Sequence, residues 1–595
     1  MNLPSDKSIA VLPFANISTD GQNEFFCDGI TEEIIDALAK IEGLRVISRT
    51  SSFYYKNHKL PLKEIADSLG VAILLEGSVR LAGDTLRIRA QLTYADADEV
   101  FWSDSWDRNK HNLFEVQDEI SLLIADKLRE HLGHMSIDEH LVQSPTGNLS
   151  AYEHYLKGRF HILKWNPEDT NIAIEEFNEA VAIDHNLIDA YLGLADSYSF
   201  MAVAGFAPRE ESWMKAMDAI QTAKKLDPNN AGLNYMLGNQ AFFTEADFAE
   251  SMHYGLKSLA SKPTYSEAHR FLSFLNTLHG DLKKAKEYIL FAKSIDPINP
   301  ETRFFEANYL YRAEMYEQAE RILDELLKEN SKNLPALIVS IYIQIMDNRL
   351  EEARSTIDNI PDELITPDER LGLLCIMDIS SGKPDSPYLV ELEQHASDPS
   401  AHHAHSYLFI VYARLAENDK AFQILENLFT SQSSILLLGF SDPLASPIRH
   451  DSRYSDYHAR VYPEIEEKPK APKTRSKAID ESEARLQAEK LRSFVTSERP
   501  YLNPSLTLRL LAHQTEIHPN QLSWLLNEFV GKNFNEFINH ERIAHFKKLV
   551  VDPDNSHISL IGLAYESGFN SKTVFNTAFK KAEGMTPKEY QKSQQ

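Results

Sequence analysis

The stretch ISLIGLAYESGFNSKTVFNTAFKK, residues 558–581, decides how the C-terminal part of the chain is read. A small residue, Ala564, stands midway along a first helix, where a second helix must cross closely. A tight turn follows, in which Gly568 takes a positive φ and Phe569 fills the core. Ser571 is placed to cap the next helix, and Phe575 to anchor it inward. The exposed face of that helix then carries Lys572, Thr573, Asn576, Thr577 and Lys580. Amides, hydroxyls and lysines are the groups that reach base edges and phosphates in a DNA major groove. The pattern predicts a helix-turn-helix unit.

A similar pattern precedes it, LTLRLLAHQTEIHPNQLSWLLNEF, residues 506–529. Here Ala512 is the small crossing residue, Pro519 suits the first helical position after His518, and Leu522 points inward. The predicted outer face carries Asn520, Gln521, Ser523, Trp524 and Asn527. Glu516 stands at the turn, where the second unit has glycine. A helix over 481–496 precedes both units.

Residues 500–590 resemble the AraC-type family of bacterial transcription regulators. Ile561, Ala564, Gly568, Phe569, Ser571, Phe579, Gly584, Pro587 and Tyr590 carry the resemblance. It implies two helix-turn-helix units joined by a long helix over about 534–550 and placed in successive major grooves, with reading residues projecting from 518–528 and 571–581. Trp524 departs from the pattern, since that position is often polar or basic. It either packs on a thymine methyl or sugar, or faces a partner domain.

Working outward, residues 463–480, PEIEEKPKAPKTRSKAID, are charged and contain prolines but no apolar periodicity. They read as a flexible linker within 461–480. Upstream, residues 150–460 are helical and repetitive. Ser251, Ala285, Ala319 and Ala353 recur 34 residues apart, and Ala421 falls two periods later. Within a unit, small residues seven apart precede a proline: Ala216, Ala223, Pro228; Ser251, Ser258, Pro263; Ala285, Ala292, Pro297. A 34-residue period is that of paired-helix tetratricopeptide (TPR) repeats, and the region resembles them. The period is hard to follow over 361–400, and one early spacing is longer.

Residues 1–140 alternate strand and helix signals. SIAVLPF (8–14) reads as a buried strand, 24–41 as an amphipathic helix, LRVISRTSSF (44–53) as a strand and LPLKEIADSLG (60–70) as a helix. VAILLEGSVRL and TLRIRAQLTY form a hairpin about Gly83-Asp84, and 112–132 a closing helix. The motifs SIAVLPFANIS, FFCDGITEEIIDALAKI, LRVISRTSSF, LLEGSVR and VQDEISLLIADKL resemble the TolB-type N-terminal domain. That resemblance implies a sensing or assembly module and no chemistry. The fold class is therefore multidomain and mainly α: an N-terminal α/β mixed-sheet domain, a central TPR α-solenoid and a C-terminal all-α double helix-turn-helix domain, 481–595.

A chain of 595 residues is too long for one core, and its 22 glycines suit a helical protein. The net charge of −27 argues against a generic nucleic-acid coat. Residues 1–142 hold 14 basic and 24 acidic side chains, against 11 and 10 in 497–595. The acidity therefore lies upstream of the DNA-reading end. No apolar run suits a membrane span, no signal peptide is expected at the start, and the location expected is cytoplasmic.

The two cysteines, Cys27 and Cys375, suggest no disulfide scaffold. Cys27 opens a helical stretch, where a thiolate suited to redox sensing is favoured; a small packing residue is the plainer reading. His402, His403 and His405 cluster without a cysteine or carboxylate ligand pattern, so a surface or inter-helix role is expected. Glu317, Glu320, Asp324 and Glu325 read as solvated helix faces. Tyr191, Tyr198, Phe200, Trp213, Tyr235, Phe242 and Phe243 read as TPR packing, with a ligand groove as the alternative. No phosphate loop or nucleophile constellation appears, so no enzyme, cofactor or metal is expected. The expected partners are double-stranded DNA, a second copy of the chain, RNA polymerase and an unidentified small-molecule or protein effector, with no membrane partner. The competing reading is a TPR scaffold for protein assembly whose terminal helical domain binds protein.

Overall fold

The computed structural model describes the chain except residues 1–6, 19–23, 143–144, 164–166, 204–205, 363, 399–400, 431–432, 464–480 and 595. The strands are β1 (Ser8–Val11), β2 (Ala15–Asn16), β3 (Arg45–Val46), β4 (Ile73–Ala82), β5 (Thr85–Tyr94) and β6 (Glu99–Asn109). They form a mixed sheet in the order β3-β1-β4-β5-β6, with β2 beside β4. β1 runs parallel to β3 and β4, while β4, β5 and β6 are antiparallel. The helices of this part are α1 (Glu24–Ala39), α2 (Arg49–Phe53), α3 (Leu62–Leu69) and α4 (Leu113–Leu132).

Side chains alternate across the sheet, so one strand supplies two cores. Ile9, Val11, Ile73 and Leu75 pack with α1 and α4. Ala10, Leu12 and Leu74 pack on the other face with Ile65, Ala66 and Leu69 of α3. The mixed sheet, the hairpin at 83–84 and the closing helix agree with the sequence reading; β6 was not anticipated. The expected strand over 44–53 is a correction. Only Arg45–Val46 is strand, and Ser48 then caps α2 by accepting a hydrogen bond from Ser51 N at 3.2 Å. The buried carboxylate of Asp296 accepts from the hydroxyls of Ser48 and Ser51, the latter at 2.7 Å. A distant partner thus decides this segment's local structure.

Paired helices follow: α5 and α6 (Leu149–Ile162, Pro167–Ile183), α7 and α8 (Ile188–Val203, Arg209–Leu226), α9 and α10 (Ala231–Phe243, Phe248–Ser261), and α11 and α12 (Ser266–His279, Leu282–Ile295). Next come α13 and α14 (Pro300–Arg312, Tyr316–Glu329), α15 and α16 (Leu334–Met346, Leu350–Asp358), α17 and α18 (Pro367–Ser380, Pro387–His395), and α19 and α20 (His402–Arg414, Asn418–Thr430). Shorter α21 (Ser434–Gly439) and α22 (Tyr454–Val461) close the array. Ser251, Ala285, Ala319, Ala353 and Ala421 each sit at the fourth residue of the second helix of a pair, fully buried. Any larger side chain there would push the helices apart. Pro228, Pro263 and Pro297 each follow two residues after such a helix ends, where a proline cannot extend it.

The sheet domain rests on the solenoid. Arg45 donates to the Ser294 carbonyl at 2.7 Å, Ser48 N to the Ile295 carbonyl at 2.6 Å, and Lys262 pairs with Asp36 at 2.9 Å. Val461 and Tyr462 are buried in the solenoid core, so the linker expected over 461–480 starts no earlier than residue 463. Its remainder, 464–480, lies outside the described residues.

Candidate nucleic-acid interface

The C-terminal helices are α23 (Glu481–Glu498), α24 (Leu508–Thr515), α25 (Pro519–Leu525), α26 (Phe534–Val551), α27 (Leu560–Glu566), α28 (Lys572–Glu583) and α29 (Pro587–Ser593). A π-helical turn, Leu526–Val530, extends α25 until Gly531 ends it with φ +72°. α26 opens on a capping box between Asn533 and Glu536, which fixes where the connecting helix begins. Each unit has its own core: Leu508, Leu511, Ala512, Leu522 and Leu526 in the first, Leu563, Ala564, Phe569, Phe575 and Phe579 in the second.

Arg542 on α26 ties the units together. Its Nε donates to the Tyr501 carbonyl at 2.8 Å and its Nη2 to the Asn503 carbonyl at 2.9 Å, while the guanidinium lies over the Phe569 ring. Burial without a carboxylate partner holds its pKa down to about 10.

The second unit presents its expected reading face freely. Ser571 caps α28 as expected, and Phe575 and Phe579 are buried beneath it. Lys572, Thr573, Asn576, Thr577 and Lys580 are all exposed. The face spans the 3–4 residue spacing that lets one helix side follow a groove.

The first unit differs. Pro519 opens α25 and Leu522 is buried, as the sequence predicted, and the His518 side chain caps the helix. The exposure expected of its reading face is a correction. Ser523 is only 2% exposed. Gln521 donates to Gln487 of α23, and Trp524 packs edge-on against Phe529. Asn527 donates to the Ser523 carbonyl at 2.8 Å and lies against Gly133. Asn520 is held by the N-terminal domain: its Oδ1 accepts from Arg129 at 2.5 Å and from Ile137 N at 3.2 Å, and its Nδ2 donates to the Ile137 carbonyl at 3.1 Å. The cause is tertiary: α4 and the loop after it cover this helix, a contact between positions nearly 400 apart.

Other candidate groups resolve into packing. Cys27 is the fourth residue of α1 and 1% exposed, and burial pushes its thiol up to about 12. The thiolate favoured by a helix start is overridden by desolvation. His405 is buried, with Nδ1 bonded to the Ala401 carbonyl at 2.9 Å; among the described residues no cluster of three or more metal-ligating side chains occurs. Glu320 pairs with Arg349 and Glu325 with Arg303, the latter at 3.0 Å. Phe242 is in the solenoid core and Tyr235 meets Tyr265 and Phe271 edge-on, whereas Phe243 is half-exposed.

Comparison with known families matches each part separately. Residues 511–593 match a helix-turn-helix domain model of AraC type, and residues 310–364 match the tetratricopeptide repeat. The AraC-type and TPR resemblances read from the sequence are thereby borne out. Residues 5–123 match the second domain of HilA/YgeH-like transcriptional regulators. Among curated proteins, the chain is 36% identical over 195 residues to putative adenylate cyclase 3 of Rhizobium meliloti, covering 32% of this chain and 33% of that protein. It is 21% identical over 199 residues to the transcriptional regulator HilA of Salmonella typhimurium, covering 33% and 30%. The chain thus spans about a third of the length of the curated relatives it matches. Among solved structures, a tetratricopeptide repeat protein of Parabacteroides merdae is 14% identical with TM-score 0.29, covering 42% of this chain and 93% of its own. PilF of Pseudomonas aeruginosa is 17% identical with TM-score 0.27, covering 41% and 97%. No helix among the described residues is long and apolar enough to cross a membrane.

Proposed function

We propose that this protein is a sequence-specific, double-stranded-DNA-binding transcription regulator. The observation that carries this reading is the free face of α28, where Lys572, Thr573, Asn576, Thr577 and Lys580 stand exposed above a buried Phe575 and Phe579. Asn576 suits an adenine edge, and the lysines suit phosphates or guanine. The helix-turn-helix and regulator-domain matches support the same reading. The sheet domain and solenoid sense a small-molecule or protein effector and promote dimerisation, which raises affinity for paired half-sites. Contact with RNA polymerase and a cytoplasmic location follow from that role, and no enzymatic step is assigned.

The test is selection of bound sites from random-sequence duplex DNA by the full-length chain. A preferred sequence is expected. Lys572→Ala with Asn576→Ala should weaken binding and relax preference at two or three adjacent base pairs. Recovery of no preferred sequence would overturn specific binding. The alternative, a TPR assembly scaffold, draws on the first unit's use of its helix face against protein. It predicts a stable protein partner and no DNA binding by the full chain.

A further inference from the structure

The contact between α4 and the first helix-turn-helix unit has the chemistry of a DNA complex. Asn520 both donates to and accepts from the peptide of Ile137, at 3.1 and 3.2 Å. Adenine offers an asparagine side chain the same donor–acceptor pair through N6 and N7. Two carboxylates of α4 pair with groups that suit phosphates. Asp126 pairs with Arg509, and Glu130 Oε1 accepts from Leu508 N, the first amide of α24, at 2.9 Å. An arginine and a helix N-terminal amide beside a reading helix are common phosphate ligands. Asn533, at the start of α26, donates to the His131 carbonyl at 3.0 Å. Gly133 has φ +91°, and a Cβ there would lie 2.6 Å from Asn527 Oδ1, so glycine is what admits the second amide of the reading face.

The surfaces are built for this contact. Asp126, Arg129 and Glu130 are each under a tenth exposed. Arg129 is pinned between Asp126, at 2.5 Å, and Asn520. A charge removed from water this far is tolerated only when paired. The counterpart face of the second unit meets no such surface and is open.

We propose that α4 and residues 133–137 form an internal DNA mimic that masks the first reading helix. DNA and the N-terminal domain then compete for Asn520, Arg509 and the α24 amide. The docked chain offers DNA only its second unit, and an effector that moves the N-terminal domain frees the first. This rests on the DNA-binding reading above.

The test uses the full-length chain with Asp126→Asn and Glu130→Gln together, against random-sequence duplex DNA. An equal charge change off the contact, Glu64→Gln with Asp67→Asn on exposed positions of α3, controls for general electrostatics. The masked form predicts affinity about tenfold or more above the control, and faster amide exchange over 508–530 without DNA. Adding Asn520→Ala to the released variant should return most of that gain. Equal affinity and exchange in released and control variants would overturn the mask while leaving DNA binding standing. No DNA binding by any variant would overturn the DNA-binding reading and the mask with it.

Discussion

Glu516 and Gly568 hold the same left-handed backbone conformation at equivalent turns of the two helix-turn-helix units, with φ of +55° and +91°. In each, the residue lies just after a first helix and lets the next residue, Ile517 or Phe569, bond back to the Ala512 or Ala564 carbonyl at 3.0 and 3.1 Å. The geometry is common to both units, but only one has the residue that adopts it without steric cost.

Glu516→Gly should therefore stabilise the first unit, by about 0.5–1 kcal/mol, since a Cβ in this region is disfavoured by about 1–2 kcal/mol and glycine loses more entropy on folding. The check is the denaturant midpoint of amide protection over 508–526. A lower midpoint would show that the Glu516 side chain contributes more than its backbone costs.

Gly568→Ala should do the reverse in the second unit. Its Cβ would fall 2.1 Å from the Tyr501 carbonyl oxygen, which Arg542 already holds at 2.8 Å. With φ at +91°, the expected loss is about 2–4 kcal/mol, seen as early loss of protection over 560–583 while the solenoid melts unchanged.

In the solenoid, Tyr311 donates to buried Asp442 at 2.7 Å across 131 residues, and Arg312 reaches the same carboxylate at 3.5 Å. Leu444 N and Arg312 remain as partners in Tyr311→Phe. The variant should lose about 1–2 kcal/mol from the half of the solenoid that includes α13 and residues 438–445. Thermal unfolding followed by limited proteolysis checks both size and place.

His131 sits at the end of α4 against Tyr94 and Phe101, and burial, with Lys127 adding to it, holds its pKa down to about 4. The folded state thus binds a proton less readily than the unfolded chain, whose histidine titrates near 6.5. Stability from this group is full above that value and is lost as pH falls toward 4, by roughly 3 kcal/mol. Glu130, raised by burial, opposes this at the acid end. His131→Gln should flatten the fall in melting temperature between pH 7 and about pH 5; an unchanged slope would assign the fall to other groups.

Much of this molecule was legible in order along the chain. The 34-residue recurrence located the second helix of several pairs, because a small residue is needed wherever two helices cross closely. Gly568, Ser571 and Phe575 marked the turn before α28, its cap and its anchor because each is a local backbone or packing requirement. The segment 44–53 was misread as strand because its helix depends on Asp296, which no local pattern announces.

The sequence by itself determined three kinds of architecture and an exposed polar face on α28, since periodicity, caps and turn residues act within a few positions. Only the tertiary structure decided that the equivalent face on α25 is covered. Asn520 is held by Arg129 and by the backbone of Ile137, groups nearly 400 positions away in the chain that folding alone places beside it.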